Sequence, residues 1–345
     1  MMGSVPCVCV CVWQSHMRAQ LECGYAEVIG VENLLGAWLE FVRGKRYRRD
    51  VQEFSLRLID NVLALHDELR HHTYAHGGYQ GFSIHDPKPR SISKASVRDR
   101  LLHHAIYRVL YPFFDRTFIA DSYSCRIGKG THRALNRFRE FGYRVSRNNT
   151  RTCWVLKCDV RKFFASIDQD ILLDILQQDI SDTGVMGLLK RVIRSFASTA
   201  PGKGLPLGNL TSQLLVNVYL NEFDQFVKHR LKAAYYIRYA DDFVTFSADR
   251  SWLVGLIPQI RQFMRERLKL ELHPDKVFIK TLASGVDFLG WVHFPDHRVL
   301  RTTTKRRMMR RLGAGGPPGE ALSSYLGLLR HGNAYTLTAA LTRSA

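Results

Sequence analysis

An α+β fold is predicted by three features of the sequence. Long stretches carry apolar residues at helical spacing, as Leu58, Val62, Leu65 and Leu69 do within residues 54–72. Two aromatic and β-branched runs, Tyr235-Tyr236-Ile237-Arg238-Tyr239 and Phe243-Val244-Thr245-Phe246, flank Ala240-Asp241-Asp242 and read as paired strands around a tight turn. A third run, Trp154-Val155-Leu156-Lys157-Cys158, reads as a buried strand ending at Asp159. If that strand lies beside the hairpin, three carboxylates meet at one sheet end, as a two-metal phosphoryl-transfer site requires.

The elements follow in order. The helix expected over 54–72 is preceded by Arg43, Lys45, Arg46, Arg48 and Arg49, a charged entrance. In His85-Asp86-Pro87-Lys88-Pro89-Arg90 the prolines force an extended path that projects Lys88 and Arg90. Residues 98–118 predict a long helix up to Pro112, and Gly128-Lys129-Gly130-Thr131 opens another. Helices are expected over 168–179 and 185–196, then a Gly- and Pro-punctuated loop over 202–213 feeding a helix to about residue 232. An amphipathic helix over 252–270 precedes short strands at 277–279, 288–294 and 299–301. Residues 305–311 are strongly basic, and a break over 313–319 precedes a last helix with Tyr325, Leu328 and Leu329.

Composition bounds the partner. With 50 Lys and Arg against 31 Asp and Glu, the chain of 345 residues carries a formal charge of +19, an electrostatic footprint for a polyanion such as nucleic acid. No uninterrupted apolar run approaches the roughly 18 residues of a membrane span, and the basic residues are spread over many segments, so no membrane partner is expected. The seven cysteines, Cys7, Cys9, Cys11, Cys23, Cys125, Cys153 and Cys158, include no C-x-x-C pair and suggest reduced thiols in a cytoplasmic setting. Residues 5–13 are apolar but lack the basic leader and cleavage site of a signal peptide. They read as a strand or as the product of a start placed too far upstream, with Met17 as the alternative.

Asp159, Asp241 and Asp242 are the chemistry-bearing residues. Adjacent ionised carboxylates repel and are tolerated best where cations neutralise them, which points to a divalent-metal site. A solvated turn is the other reading of Ala240-Asp241-Asp242, because Asp is common in turns.

The order of motifs resembles the reverse transcriptases over roughly residues 35–335. The motifs are Lys88-Pro89-Arg90, Asp159 with Phe164 after it, Leu207-Gly208-Asn209-Leu210-Thr211-Ser212-Gln213, Tyr239-Ala240-Asp241-Asp242, His273-Pro274-Asp275-Lys276 and Phe288-Leu289-Gly290. The resemblance implies a right-hand polymerase with fingers over 35–156, a palm over 157–297 built as an antiparallel sheet packed on helices, and a short helical thumb over 298–345, behind an N-terminal extension over 1–34. It implies RNA-directed DNA synthesis with a template RNA, a cDNA product, dNTPs and two Mg²⁺ ions, for which Mn²⁺ can substitute.

The residue roles follow from the same resemblance. Asp159 and Asp241 hold the ions, Asp242 is an outer ligand and the Val160 carbonyl a backbone ligand. Phe164 excludes a nucleotide 2′-hydroxyl or is a core Phe; Lys88 and Arg90 clamp the triphosphate, with solvation the alternative for Lys88. Leu207, Gly208 and Gln213 meet the incoming nucleotide. Lys276 protonates departing pyrophosphate or simply faces solvent. Phe288, Leu289 and Gly290 form a primer grip or an ordinary bulged strand. Lys305, Arg306, Arg307, Arg310 and Arg311 line the duplex or are solvated.

Many members of the family carry Gln-Gly and then Ser-Pro where this chain has Leu207-Gly208 and Ser212-Gln213, so a polar handle is lost and a Gln replaces a helix-opening Pro. That departure resembles the diversity-generating retroelement enzymes, which copy RNA with errors at adenines and work with a small basic accessory protein. Antiphage defence enzymes that use a structured noncoding RNA share it. A template-independent or protein-primed polymerase is a further alternative, as is a binding protein that has lost synthesis. The chain is expected to lack room for intron maturase and endonuclease regions, and no ribonuclease H domain is recognised.

Overall fold

The computed structural model describes residues 20–84, 89–313 and 318–343. The chain begins with helices α1 (Tyr25–Ile29), α2 (Val31–Phe41), α3 (Arg49–Leu56) and α4 (Leu58–Arg70), followed by a hairpin of β1 (Gln80–Ile84) and β2 (Arg90–Lys94). Next come α5 (Val97–Thr117), α6 (Thr131–Val145), β3 (Trp154–Asp159), α7 (Phe163–Ser166), α8 (Gln169–Asp179), α9 (Thr183–Arg194) and α10 (Leu210–Gln225). After a π-turn over Phe226–Arg230 the chain forms β4 (Tyr236–Tyr239), β5 (Asp242–Ser247), α11 (Arg250–Leu268) and β6 (Phe278–Thr281). It closes with β7 (Val286–Phe288), β8 (Trp291–His293), β9 (Arg298–Leu300), α12 (Thr302–Gly313), α13 (Pro318–Leu329) and α14 (Tyr335–Arg343).

A four-stranded antiparallel sheet of order β4-β5-β3-β6 stands at the centre, and β7-β8-β9 form a smaller one. Side chains along a strand point alternately to its two faces, and here both faces are covered. Leu156, Cys158, Tyr236 and Phe243 enter a core shared with α2, α5, α8, α10 and α11. Val155, Ile237, Val244 and Phe246 enter a second core with α6, β7, β8 and the C-terminal helices. The strands therefore read as nearly continuous apolar runs.

Short polar caps set the helix starts. Ser96, Asp168, Asp182 and Asp249 each accept backbone N–H bonds from the first turn of α5, α8, α9 and α11. Each such cap contributes about 1 kcal/mol.

Several expected boundaries are corrected. The helix predicted over 54–72 is interrupted at Arg57, whose φ of −124° and ψ of 42° leave the helical region. The helix expected to stop at Pro112 runs through it to Thr117. Proline inside a helix costs about 3 kcal/mol, but Pro112 itself is exposed, and Leu110, Tyr111, Phe113 and Phe114 beside it are buried. Burying one such side chain contributes about 1.5–3 kcal/mol, so the group prevails. Ile84 pairs with Arg90, so the Pro-rich segment joins two strands of a hairpin that the sequence reading missed. The single strand expected over 288–294 is a hairpin between β7 and β8. Helix α13 is not the last, since α14 follows it.

The segment read as a strand at residues 5–13 lies outside the described residues, as do Lys88 and much of the 313–319 break. Among the described residues, no helix is long and apolar enough to cross a membrane.

Candidate active site

Strand register brings the acidic residues together. Asp159, the last residue of β3, sits directly opposite Asp242, the first residue of β5, and Asp241 occupies the turn between β4 and β5. The turn is pinned at its backbone: the Val160 N–H donates to the Asp241 carbonyl at 3.2 Å. Ala240 adopts a φ of 54°, left-handed for a residue with a Cβ, and such strain persists only where surrounding structure holds it.

That structure is a buried ion pair. Arg238 and Asp224 are almost fully shielded, with the guanidinium donating to both Asp224 oxygens at 2.6–2.9 Å. The same guanidinium donates to Asn217 Oδ1 at 3.1 Å and to the Ala240 carbonyl at 3.3 Å. Tyr236 adds its hydroxyl to Asp224 at 2.8 Å. None of Arg238, Asp224 or Asn217 figured among the expected site residues. The available signal was an Arg inside an apolar strand two residues before the turn.

Burial raises the Asp242 carboxyl to about 6, with Asp159 and Asp241 pushing the same way and Lys157 opposing. Burial also raises Asp241, reinforced by Asp159 and opposed by Lys276 and Arg90. Two lysines supply counter-charge. Lys276 Nζ lies 2.9 Å from Asp159 Oδ1, and Lys157 Nζ lies 3.2 Å from Asp242 Oδ2. Lys276 is placed by its local chain: His273 N–H donates to the Asp159 carbonyl at 2.7 Å, and residues 274–276 then form a 3₁₀ turn.

Three carboxylates offer hard oxygen donors, and Asp242 Oδ1 is buried with no hydrogen-bond partner, so the donor chemistry fits a hard divalent ion. The shell is not preassembled: among the described residues no group of three or more His, Cys, Asp or Glu is arranged to hold a metal. Lys157 and Lys276 occupy one oxygen each of Asp242 and Asp159.

Around this centre the structure gathers most of the other expected residues. Arg90, exposed at the start of β2, is near enough to Asp241 to oppose the rise that burial gives its carboxyl. The 202–213 loop docks on β2, with Ser93 N–H donating to the Leu207 carbonyl at 3.0 Å and Asn209 Nδ2 to the Ser93 carbonyl at 3.1 Å. Gly208 has a φ of 106°, and a Cβ there would lie 2.8 Å from Ile92 Cγ2, so only glycine allows this approach. Phe164 is half-buried on α7 and touches Phe163 edge-on.

Two expectations shift. Gln213 does not open α10, which starts at Leu210, and lies one turn inside it. Phe288 is fully buried and stacked on Phe138, leaving its side chain no free surface; Leu289 and Gly290 form the two-residue turn, with φ of 51° and 86°. Positive φ at both positions matches the hairpin turn that best follows strand twist. On α12, Lys305, Arg306, Arg310 and Arg311 are exposed and Arg307 is partly so, while Met308 anchors the helix in the second core.

A cavity of about 310 Å³ adjoins Gly208 and Gln213. Lys45, Arg48, Lys94 and Arg100 line it with Phe41 and Phe82, and so do His103 and Asn209, whose Nδ1 and Oδ1 are buried without partners. Asp50, held by Lys94 and Arg100, is the acid in contact with this group. Such a site suits an anionic ligand with hydrogen-bonding edges.

Residues 84–293 match the family described as reverse transcriptase (RNA-dependent DNA polymerase). Protein YkfC of Escherichia coli K12 is 26% identical over 260 residues, covering 65% of this chain and 66% of that protein. Group II intron-encoded protein LtrA of Lactococcus lactis subsp. cremoris is 23% identical over 291 residues, covering 64% of this chain and 46% of that protein. The chain thus spans just under two thirds of YkfC and less than half of LtrA. A solved structure of apo telomerase from Candida tropicalis, truncated from its C-terminal domain, overlays with a TM-score of 0.48 at 12% identity, covering 70% of this chain and 60% of that one, a likeness too loose to carry an argument. Because the family match runs through the hairpin that meets β3 at Asp159, and through the loop docked on β2, the chain belongs to the reverse transcriptase family.

Proposed function

We propose that the protein is an RNA-directed DNA polymerase that extends a primer along an RNA template. The observation that carries this reading is the meeting of Asp159, Asp241 and Asp242 at one sheet end beside two lysines. Asp159 and Asp241, with Asp242 and the Val160 carbonyl close by, would hold Mg²⁺, which supplies charge neutralisation at the primer 3′-hydroxyl and the triphosphate. The chain's own groups do the positioning. Arg90, with Lys88 expected beside it, presents a guanidinium to phosphate. Lys276, which pairs with Asp159, would give a proton to departing pyrophosphate. The basic cavity beside Gly208 takes unpaired template, Phe164 screens the sugar, and the turn after Phe288 meets the primer end. In this reading 35–156 are fingers, 157–297 palm and 298–345 thumb, and α12 lies along the duplex.

Within that activity, mutagenic copying in a diversity-generating retroelement is the reading we favour over a defence role. It is supported by Leu207 and Gln213: Leu207 brings an apolar side chain to the loop while its carbonyl is committed to Ser93. A small basic accessory protein or a structured noncoding RNA would complete the cytoplasmic system.

The test is primer extension with purified protein, a defined RNA template, Mg²⁺ and dNTPs, with sequenced products. Template-dependent extension that disappears in Asp159→Ala and Asp241→Ala is expected, with errors concentrated at template adenines. No extension that depends on Asp241 sinks the polymerase reading, extension without template favours a template-independent polymerase instead, and uniform errors sink only the subclass.

A further inference from the structure

Lys157 is the one charged residue in the apolar run of β3, and its side chain is only 9% exposed. A buried ammonium is costly to desolvate, and an apolar residue of similar volume is often as stable or more so. Its presence calls for a positional explanation. Lys157 shares a strand face with Val155 and Asp159, and on the neighbouring strand Asp242 lies diagonally across, within reach of a long side chain.

The ammonium makes two contacts at once. It pairs with Asp242 Oδ2 at 3.2 Å and donates to the Asp287 carbonyl on β7 at 2.8 Å. Asp287 then uses its side chain to bind Arg301, and the Arg301 N–H donates to the Gly290 carbonyl at 3.1 Å, immediately before α12. A continuous polar path therefore runs from the acidic sheet end, through Lys157 and Asp287, to both sides of the Leu289–Gly290 turn. The larger and smaller sheets share no strand, so this path is a fixed strut across their junction.

We propose that Lys157 is a positioning residue that sets the distance between the Asp242 carboxylate and the β7–β8 turn, with Asp287 and Arg301 transmitting the constraint to the base of α12. The inference rests on the reading that the turn holds a primer end. Given that reading, Lys157 fixes where the primer 3′-hydroxyl stands relative to the carboxylates. It does not itself touch the nucleotide.

Lys157→Met keeps the volume and removes both contacts. A misplacement of about 1 Å costs up to roughly 100-fold in rate. In single-nucleotide extension at saturating primer–template, kcat should therefore fall about 10- to 100-fold while the nucleotide KM stays within about twofold, the split expected when only transition-state geometry is lost. Arg301→Met, further along the strut, should show the same split more weakly. The double variant should lose little beyond Lys157→Met, because residues in one network are non-additive.

Thermal melting is measured alongside. A lowered Tm with unchanged kcat in Lys157→Met would make the lysine purely structural and overturn the proposal, as would fully additive losses or a rise confined to nucleotide KM. Should Lys157→Met show no cooperative melting, Arg301→Met decides: its side chain is 34% exposed, against 9% for Lys157, so its loss is expected to cost folding less, and an unchanged kcat overturns the strut. Wild-type protein that extends no primer overturns the polymerase reading and this inference with it. An active wild type with an unaffected variant overturns the inference alone.

Discussion

At the scale of single residues, the acidic turn depends on groups buried behind it. Arg238 and Asp224 pay for burial only as a pair, and removing one leaves an uncompensated charge, at a cost of about 3–5 kcal/mol. Arg238→Met and Asp224→Asn are each expected to lower unfolding free energy by that order in denaturant titration, and the double variant to cost much less than the sum. A loss within about 1 kcal/mol for either single variant would show that the pair does not hold the turn. Asp242 titrates near 6 because burial disfavours its charged form. A raised carboxyl pKa favours the folded state most below its unfolded value near 3.8, and that contribution is lost as pH rises through about 6. Metal ligation needs the deprotonated form, so the Mg²⁺ concentration for half-maximal extension should rise as pH falls below about 6. A requirement flat from pH 7 to 5 would exclude Asp242 from the ion's surroundings.

At the scale of elements, the 202–213 loop is where a minimal change should be felt most. Gly208→Ala meets both a left-handed backbone and the Ile92 side chain at 2.8 Å. Either the loop or β2 must move, so nucleotide KM should rise by about tenfold or more while Tm falls only modestly; one lost contact of about 1.4 kcal/mol already gives that factor. Steady-state kinetics checks it, and an unchanged KM would remove the loop from the nucleotide path. Several elements were readable in the sequence. The Tyr239-Ala240-Asp241-Asp242 turn, the helix expected over 168–179 and the helix opened by Gly128-Lys129-Gly130-Thr131 are found as the β4–β5 turn, α8 and α6. Others were not. The β1–β2 hairpin is largely exposed, and its alternation is no longer than Phe82-Ser83-Ile84 with Ile92 opposite, too short to announce it. Pro112 advertised a helix end that tertiary burial on both sides overrode.

At the scale of the whole molecule, charge predicts how nucleic acid would be held on the proposed reading. The +19 excess implies binding dominated by phosphate contacts, so log affinity for an RNA–DNA hybrid should fall linearly with log salt. Lys305, Arg306 and Arg310 stand exposed along α12, and replacing all three with Gln should reduce the magnitude of that slope by about 2–3. Fluorescence anisotropy across a salt series checks it; an unaltered slope would place the duplex elsewhere. The anchor of α12, Met308, belongs to the core on the far face of the main sheet. The basic helix and the acidic turn are thus fixed to one scaffold.

The candidate carboxylates, the turn that carries two of them, the order of the motifs and a charge suited to a polyanion were all legible in the sequence. Those are local properties, written in residue type and spacing. Only the tertiary structure decided that β3 pairs with β5 so that Asp159 faces Asp242. It also decided that Lys157 and Arg238 brace the acidic end from within and that residues from α2, β2, α5 and α10 enclose one basic cavity. The physical reason is that register and burial arise from contacts between segments far apart in the chain, and a lone buried lysine or arginine shows its purpose only when its partners are in place.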